Sequence, residues 1–335
     1  MKAVAHTHAR PITHEEALVD VDLPEPAAHH HDILVEVKAV SVNPVDVKLR
    51  RTADPVGEPR VLGFDAAGIV RAIGPEVAHF GIGDEVWYAG VINRPGSNAE
   101  FQAVDERIVG RKPKTLSFAD AAAMPLTTIT AWEMLFERMM IPRDLSRRGS
   151  ILILGGAGGV GSMAIQLARH LTSLHVIASA SREESRAWCT RMGAHLVIDH
   201  SADIPAALAA AGTPKVDFVF STNNTRANWK AAVEVVRPQG RIGLIEPGEG
   251  LDARELMAKS VSLHWESIFT RPLMHTADMI EQHHLLEVVS MLVDRGTLVS
   301  TRSEHGGTIT AMNMRAAHAR VESGHMVGKI VLEGF

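Results

Sequence analysis

Apolar and polar positions follow two different rhythms along this chain. Up to about Pro125 the apolar residues come in short runs. ILVEVKAV, Ile33 to Val40, alternates apolar and polar side chains, which predicts a half-buried strand. GIVRAIG (68–74) and DEVWYAG (84–90) read the same way. Proline and glycine break these runs repeatedly, at Pro44, Pro59, Gly63, Gly74 and Gly83 among others. The first part is therefore expected to be a β-rich domain of short strands and turns. FADAAAM (118–124) and LTTITAWEMLFERMM (126–140) then predict helices separated by Pro125, with a polar loop from Pro142 to Ser150.

From Ile151 strand and helix patterns alternate. ILIL (151–154) is short, apolar and branched, as a strand buried on both faces is. A helix follows, then HVIASA (175–180), a helix over 182–192, HLVID (195–199), a helix over 202–211, VDFVFS (216–221), a helix over 227–236 and GRIGLIE (240–246). Alternation of this kind predicts a parallel, doubly wound α/β sheet. It stops after about Trp265. Two longer helical stretches, 277–294 and 309–322, lead to a final strand, KIVLEGF.

Between the first strand and first helix of that alternation lies Gly155-Gly156-Ala157-Gly158-Gly159-Val160-Gly161. Gly156, Gly158 and Gly161 fit G-x-G-x-x-G, in the strand–turn–helix context that the dinucleotide fingerprint requires. The first glycine is expected to make the tight turn. The second lets backbone approach a pyrophosphate, and the third lets helix and strand pack closely. Gly159 and Val160 open the helix, whose free N–H groups suit phosphate.

Length and charge narrow the function classes. The 335 residues suggest two domains, and a net charge of -5 leaves no basic footprint for nucleic acid. No apolar run approaches the ~20 residues that span a bilayer. The N-terminal stretch lacks a signal-peptide core, and one cysteine, Cys189, allows no internal disulfide. Together these favour the cytoplasm. His29-His30-His31 and His283-His284 are adjacent residues, so their side chains diverge and make poor metal sites.

SVNPVDVKLR (41–50), LGFDAAGIV (62–70), GDEVWYAG (83–90), AAAMPLTTITAWEML (121–135), GGAGGVGSMAIQLAR (155–169) and GKIVLEGF (328–335) together resemble the medium-chain dehydrogenase/reductase superfamily, in its quinone oxidoreductase branch. GSNAEF (96–101) and ADMIEQHHLL (277–286) resemble its zinc-type alcohol dehydrogenase-like members. The resemblance covers essentially the whole chain. It implies a GroES-like catalytic domain from 1–125 and 266–335, a Rossmann NADP-binding domain from 126–265, a site in the cleft, and a homodimer. In zinc-dependent members of the family the catalytic metal is held at the positions of Asn43, Phe64 and a residue near Leu126. None of these side chains is a zinc ligand here. The competing short-chain reductases share a Tyr-x-x-x-Lys pair. The one tyrosine here, Tyr88, is followed at position 92 by isoleucine, which excludes that class.

Without zinc, hydride is expected to pass from NADPH to an electron-poor acceptor, a quinone or an alkene conjugated to a carbonyl. Asn43 and Asp46, in NPVD, are candidates at the family's cleft, Asn43 as a donor to substrate oxygen; the alternative is that both only tie the Asn-Pro turn. By the resemblance Thr130 contacts nicotinamide, and Tyr88 is a candidate donor or stacking face. HVIASA ends without the acid that would bond a ribose 2′-hydroxyl. Ser179, Ser181 and Arg182 stand there instead, and suit the 2′-phosphate of NADPH. Two other readings remain: a zinc-independent alcohol or aldehyde dehydrogenase, and a non-enzymatic NADPH-binding protein.

Overall fold

The alternation read from Ile33 to Val40 becomes the strand Asp32–Ser41 in the computed structural model of the protein. The structure describes every residue except 53, 56, 58, 146, 147, 247 and 249. Positions 146 and 147 of the expected Pro142–Ser150 loop thus lie outside the described residues. The chain divides into two units, residues 1–129 with 269–335, and residues 130–268. The boundaries expected from the sequence, after 125 and after 265, fall slightly earlier; the first division lies inside the helix Pro125–Trp132.

In the first unit Asp32–Ser41 is flanked by Ala66–Ile73 and by the C-terminal strand Lys329–Glu333, both antiparallel to it. The sheet continues on one side to Arg302–His305 and on the other to Glu85–Tyr88 and Val109–Arg111. Val35, Val37, Val40, Val70, Val86 and Leu332 fill its core. The pairing of Val331 with Ser41 and Leu332 with Val40 ties the chain end to the N-terminal strand. A helix, Pro44–Thr52, stands where strands and turns were expected. Proline suits the first helical position, where its missing N–H costs nothing, and Asp46 lies in the first turn.

The second unit is a six-stranded parallel sheet in the order Leu196–Ile198, Ser173–Ser179, Arg148–Leu154, Val216–Ser221, Val236–Leu244, Ser262–Trp265. Numbered along the chain this is 3-2-1-4-5-6, the order of the Rossmann fold. Leu152, Leu154, Ile177, Val219, Ile242 and Leu244 are buried in its core. The last strand is not among those the sequence pattern predicts. SLHW is short and only partly buried, and at a sheet edge no apolar run marks it. The long helical stretch from 126 is a helix only to Trp132 and continues as a π-helical turn, Glu133–Arg138. No helix among the described residues is long and apolar enough to cross a membrane.

Candidate active site

The glycine turn lies at the carboxyl end of Arg148–Leu154, where ligands bind in open α/β sheets. The left-handed residue is Gly155, at φ +77°, rather than Gly156. Gly156 is required for another reason. A Cβ there would lie 2.8 Å from the Ala178 Cβ and 3.0 Å from the Cys189 Sγ. Gly161 has no room either, since its Cβ would meet the Gly155 carbonyl oxygen at 2.3 Å. Gly158 differs. It caps the helix Gly159–Leu171, and a Cβ would have no protein atom closer than 3.7 Å. The first-turn N–H groups of that helix, Gly159, Val160 and Gly161, have no intrahelical acceptor and suit a pyrophosphate.

Of the three residues expected at the 2′-phosphate, two are exposed. Ser181 and Arg182 lie on the surface beyond Ser173–Ser179, and Arg182 is the N-cap of the helix Glu183–Arg191. Ser179 is buried, and its Oγ accepts the Gly155 N–H at 3.1 Å. That bond ties the glycine turn to the neighbouring strand and uses the hydroxyl as an acceptor. Thr130 is buried in the helix Pro125–Trp132.

In the first unit, Asn43 and Asp46 enter a buried polar network that also holds Asp65 and Lys329. The Lys329 Nζ donates to the Val42 carbonyl at 2.9 Å and to the Asn43 Oδ1 at 2.5 Å, and lies 3.2 Å from an Asp65 oxygen. The Asn43 amide donates to Asp65 at 2.9 Å and to the Ser41 carbonyl at 3.3 Å. The Leu126 N–H donates to the other Asp65 oxygen at 2.8 Å. Asp46 accepts the backbone N–H of Asn43 at 2.8 Å and of Gly63 at 2.9 Å. Asn43 therefore has both amide hydrogens and its oxygen in use, and the donor role expected for it toward a substrate is not open in this arrangement. Burial pushes the Asp46 carboxyl up to about 7, raises Asp65 and lowers Lys329. Neither Asp65 nor Lys329 stands out in the sequence as a candidate. Each lies inside a phrase carrying the family resemblance, LGFDAAGIV and GKIVLEGF.

Tyr88 is corrected too. It is fully buried in the β core, its hydroxyl has no hydrogen-bond partner among the described residues, and burial pushes the phenol up. A strand-end tyrosine here is core rather than a cleft donor.

The second unit contains a buried acid pair that the sequence did not reveal. Glu266 follows the last strand, and Glu133 opens the π-helical turn. Both carboxylates are buried. Arg138 donates from Nε to Glu266 at 2.8 Å and lies 3.7 Å from Glu133. Burial first, and then the charge and hydrogen bond of Glu133, push the Glu266 carboxyl up to about 9, so it holds a proton near neutral pH.

The positions that bind zinc in zinc-dependent relatives do not fit that metal. The Asn43 oxygen is held by the Lys329 ammonium. The Phe64 ring packs edge-on against Phe269 at 5.6 Å, and the Leu126 side chain is aliphatic, with no atom that can ligate a metal. Among the described residues no group of three or more His, Cys, Asp or Glu is assembled to hold a metal.

Two family models match the chain: an alcohol dehydrogenase GroES-like domain over residues 29–124, and a zinc-binding dehydrogenase domain over 159–287. A zinc-type alcohol dehydrogenase-like protein of Staphylococcus aureus (strain MRSA252) is 41% identical over 311 residues, 92% of each chain. This chain belongs to the medium-chain dehydrogenase/reductase superfamily. Its members are oxidoreductases, and the GroES-like and Rossmann-type folds of the two units are those of the family. The solved structure of a candidate zinc-dependent alcohol dehydrogenase from Rhizobium etli CFN 42 is similar at a TM-score of 0.97 and 53% identity, covering 100% of this chain and 98% of that one. An NADPH-dependent alkenal/one oxidoreductase of Arabidopsis thaliana is 35% identical over 233 residues, 65% of this chain and 55% of its own.

Proposed function

We propose that this medium-chain reductase uses NADPH to reduce quinones or alkenes conjugated to a carbonyl, and does so without zinc. The observation that carries the reading is the strand end beside the glycine turn. Ser181 and Arg182 are exposed there and no acid ends the strand itself, which suits a 2′-phosphate. The ammonium held at Asn43 supports the metal-free part. With its oxygen engaged by that ammonium, Asn43 offers no ligand to a Lewis-acid metal that would draw a proton off an alcohol, which favours reduction of an electron-poor acceptor.

When bound, NADPH supplies the hydride. In this reading the helix start at Gly159, Val160 and Gly161 holds the pyrophosphate, and Gly158 leaves room for its approach. Ser181 and Arg182 take the 2′-phosphate, while Ser179 and Gly156 keep the turn in shape. Thr130 contacts the nicotinamide end. Asn43 acts as a positioning residue through Lys329 and Asp65, and Asp46 through the Asn43 and Gly63 backbone, instead of touching substrate. The enzyme works as a cytoplasmic homodimer on a small-molecule substrate.

Chelator-treated protein assayed with a panel of quinones and enones should consume NADPH, and secondary alcohols should not drive NADP reduction. Activity that is lost on chelation and returns with stoichiometric zinc would overturn the metal-free reading. NADPH binding with no turnover across the panel would favour a cofactor-binding protein.

A further inference from the structure

Beyond Ser181 the surface of the second unit opens into a cavity of about 660 Å³. It is walled by the helix Glu183–Arg191 and by the edge strand Leu196–Ile198, with Ser181 and Asp199 among its lining residues. Arg186 also lines it, one helical turn beyond Arg182 and so on the same face of the chain. Among the described residues the Arg186 guanidinium makes one hydrogen bond, a long one of 3.3 Å from Nη2 to the Val197 carbonyl. A guanidinium carries five N–H donors in a planar fork, so the Val197 bond leaves Arg186 with donor capacity to spare beside the cavity it lines.

We infer that Arg186 is a second reader of the cofactor's 2′-phosphate, reaching it through the cavity that Ser181 opens. This rests on the NADPH reading above. Glu183 and Asp199 line the same cavity, and their charge would oppose an anion. One Asp199 oxygen is engaged by its own turn, accepting the Ser201 N–H at 2.8 Å and its hydroxyl at 2.7 Å. The Ser201 hydroxyl and N–H hold this carboxyl below its usual range, and Arg186 adds a smaller positive charge against it. Arg186 thus has two effects in this site. It offsets Asp199, and it presents a fork whose geometry fits a phosphate bidentately. Arg182 is not among the residues that line the cavity.

The test is the affinity of the purified full chain for NADPH, NADH and adenosine 2′,5′-bisphosphate, in wild type, Arg186→Met and Arg186→Lys. Loss of a charged hydrogen bond corresponds to roughly tenfold or more in affinity. Arg186→Met should weaken NADPH and the bisphosphate by at least about that factor and leave NADH within about twofold. Arg186→Lys keeps the charge without the fork and should fall between the two. Circular dichroism identifies a variant that has lost its fold, in which case the lysine variant decides. An equal loss for NADPH and NADH would show that Arg186 only supports Val197, and would overturn the inference. Wild-type protein that prefers NADH would instead remove the NADPH reading on which it rests.

Discussion

Lys329→Met should cost the fold roughly 3–5 kcal/mol, the range for breaking a buried ion pair from one side. The ammonium is buried with the carboxylate of Asp65, and its donors are spent on Val42, Asn43 and Asp65. Its removal leaves a buried acid facing an amide whose oxygen has lost its donor. Asp65→Asn removes that charge, so its effect should depend on whether Lys329 is present. A double-mutant cycle on these two residues, read by urea unfolding, should give a coupling of about 1 kcal/mol or more. Additive losses would mean that the pair is not the unit holding Val42, Asn43, Leu126 and the C-terminal strand together.

The second large effect has the opposite sign. Glu266→Gln should stabilise the protein, and more so as pH rises. In the folded chain the Glu266 carboxyl is raised from 4.5 to about 9. Its stabilising contribution is fully present below pH ~4.5 and is lost as pH rises through the folded value. A tenfold difference in proton affinity between the folded and unfolded chain corresponds to about 1.4 kcal/mol, so wild type should have lost about 3 kcal/mol from this group by pH 7 and more by pH 9. Glutamine is neutral throughout. It can donate to Glu133 as the protonated acid does and still accept from Arg138. Urea unfolding of both proteins at pH 5, 7 and 9 should show a small difference at pH 5 that widens steadily. A constant difference would show that Glu266 is ionised in the fold.

Much of the second unit could be read in the sequence, because buried parallel strands are apolar runs and the glycines mark where the turn must be. Its edge was harder. Ser262–Trp265 pairs with one neighbour only and is partly exposed, so nothing in SLHW demanded a strand. The first unit was legible in outline, yet the helix Pro44–Thr52 hid behind an Asn-Pro turn signal. The site divides in a similar way. Gly158 and Gly161 have the room and the crowding their motif positions imply, whereas the left-handed turn falls one residue before the motif, at Gly155. Lys329 and Asp65, and likewise Glu133 and Glu266, meet only through the fold. Their partners are separated by more than a hundred residues, and no spacing rule joins them. Tyr88 shows the reverse error. Being the one tyrosine made it conspicuous, and the β core had use only for its bulk.

The most direct test of metal-free hydride transfer is the fate of a labelled hydrogen. NADPH deuterated at both C4 positions is incubated with chelator-treated protein and a reducible enone, and the product is analysed by mass spectrometry and NMR. Metal-free transfer predicts one deuterium per product molecule, on the carbon β to the carbonyl, with zinc absent from the protein. Deuterium on the carbonyl carbon, giving an allylic alcohol, or transfer that occurs only after zinc is restored, would contradict it.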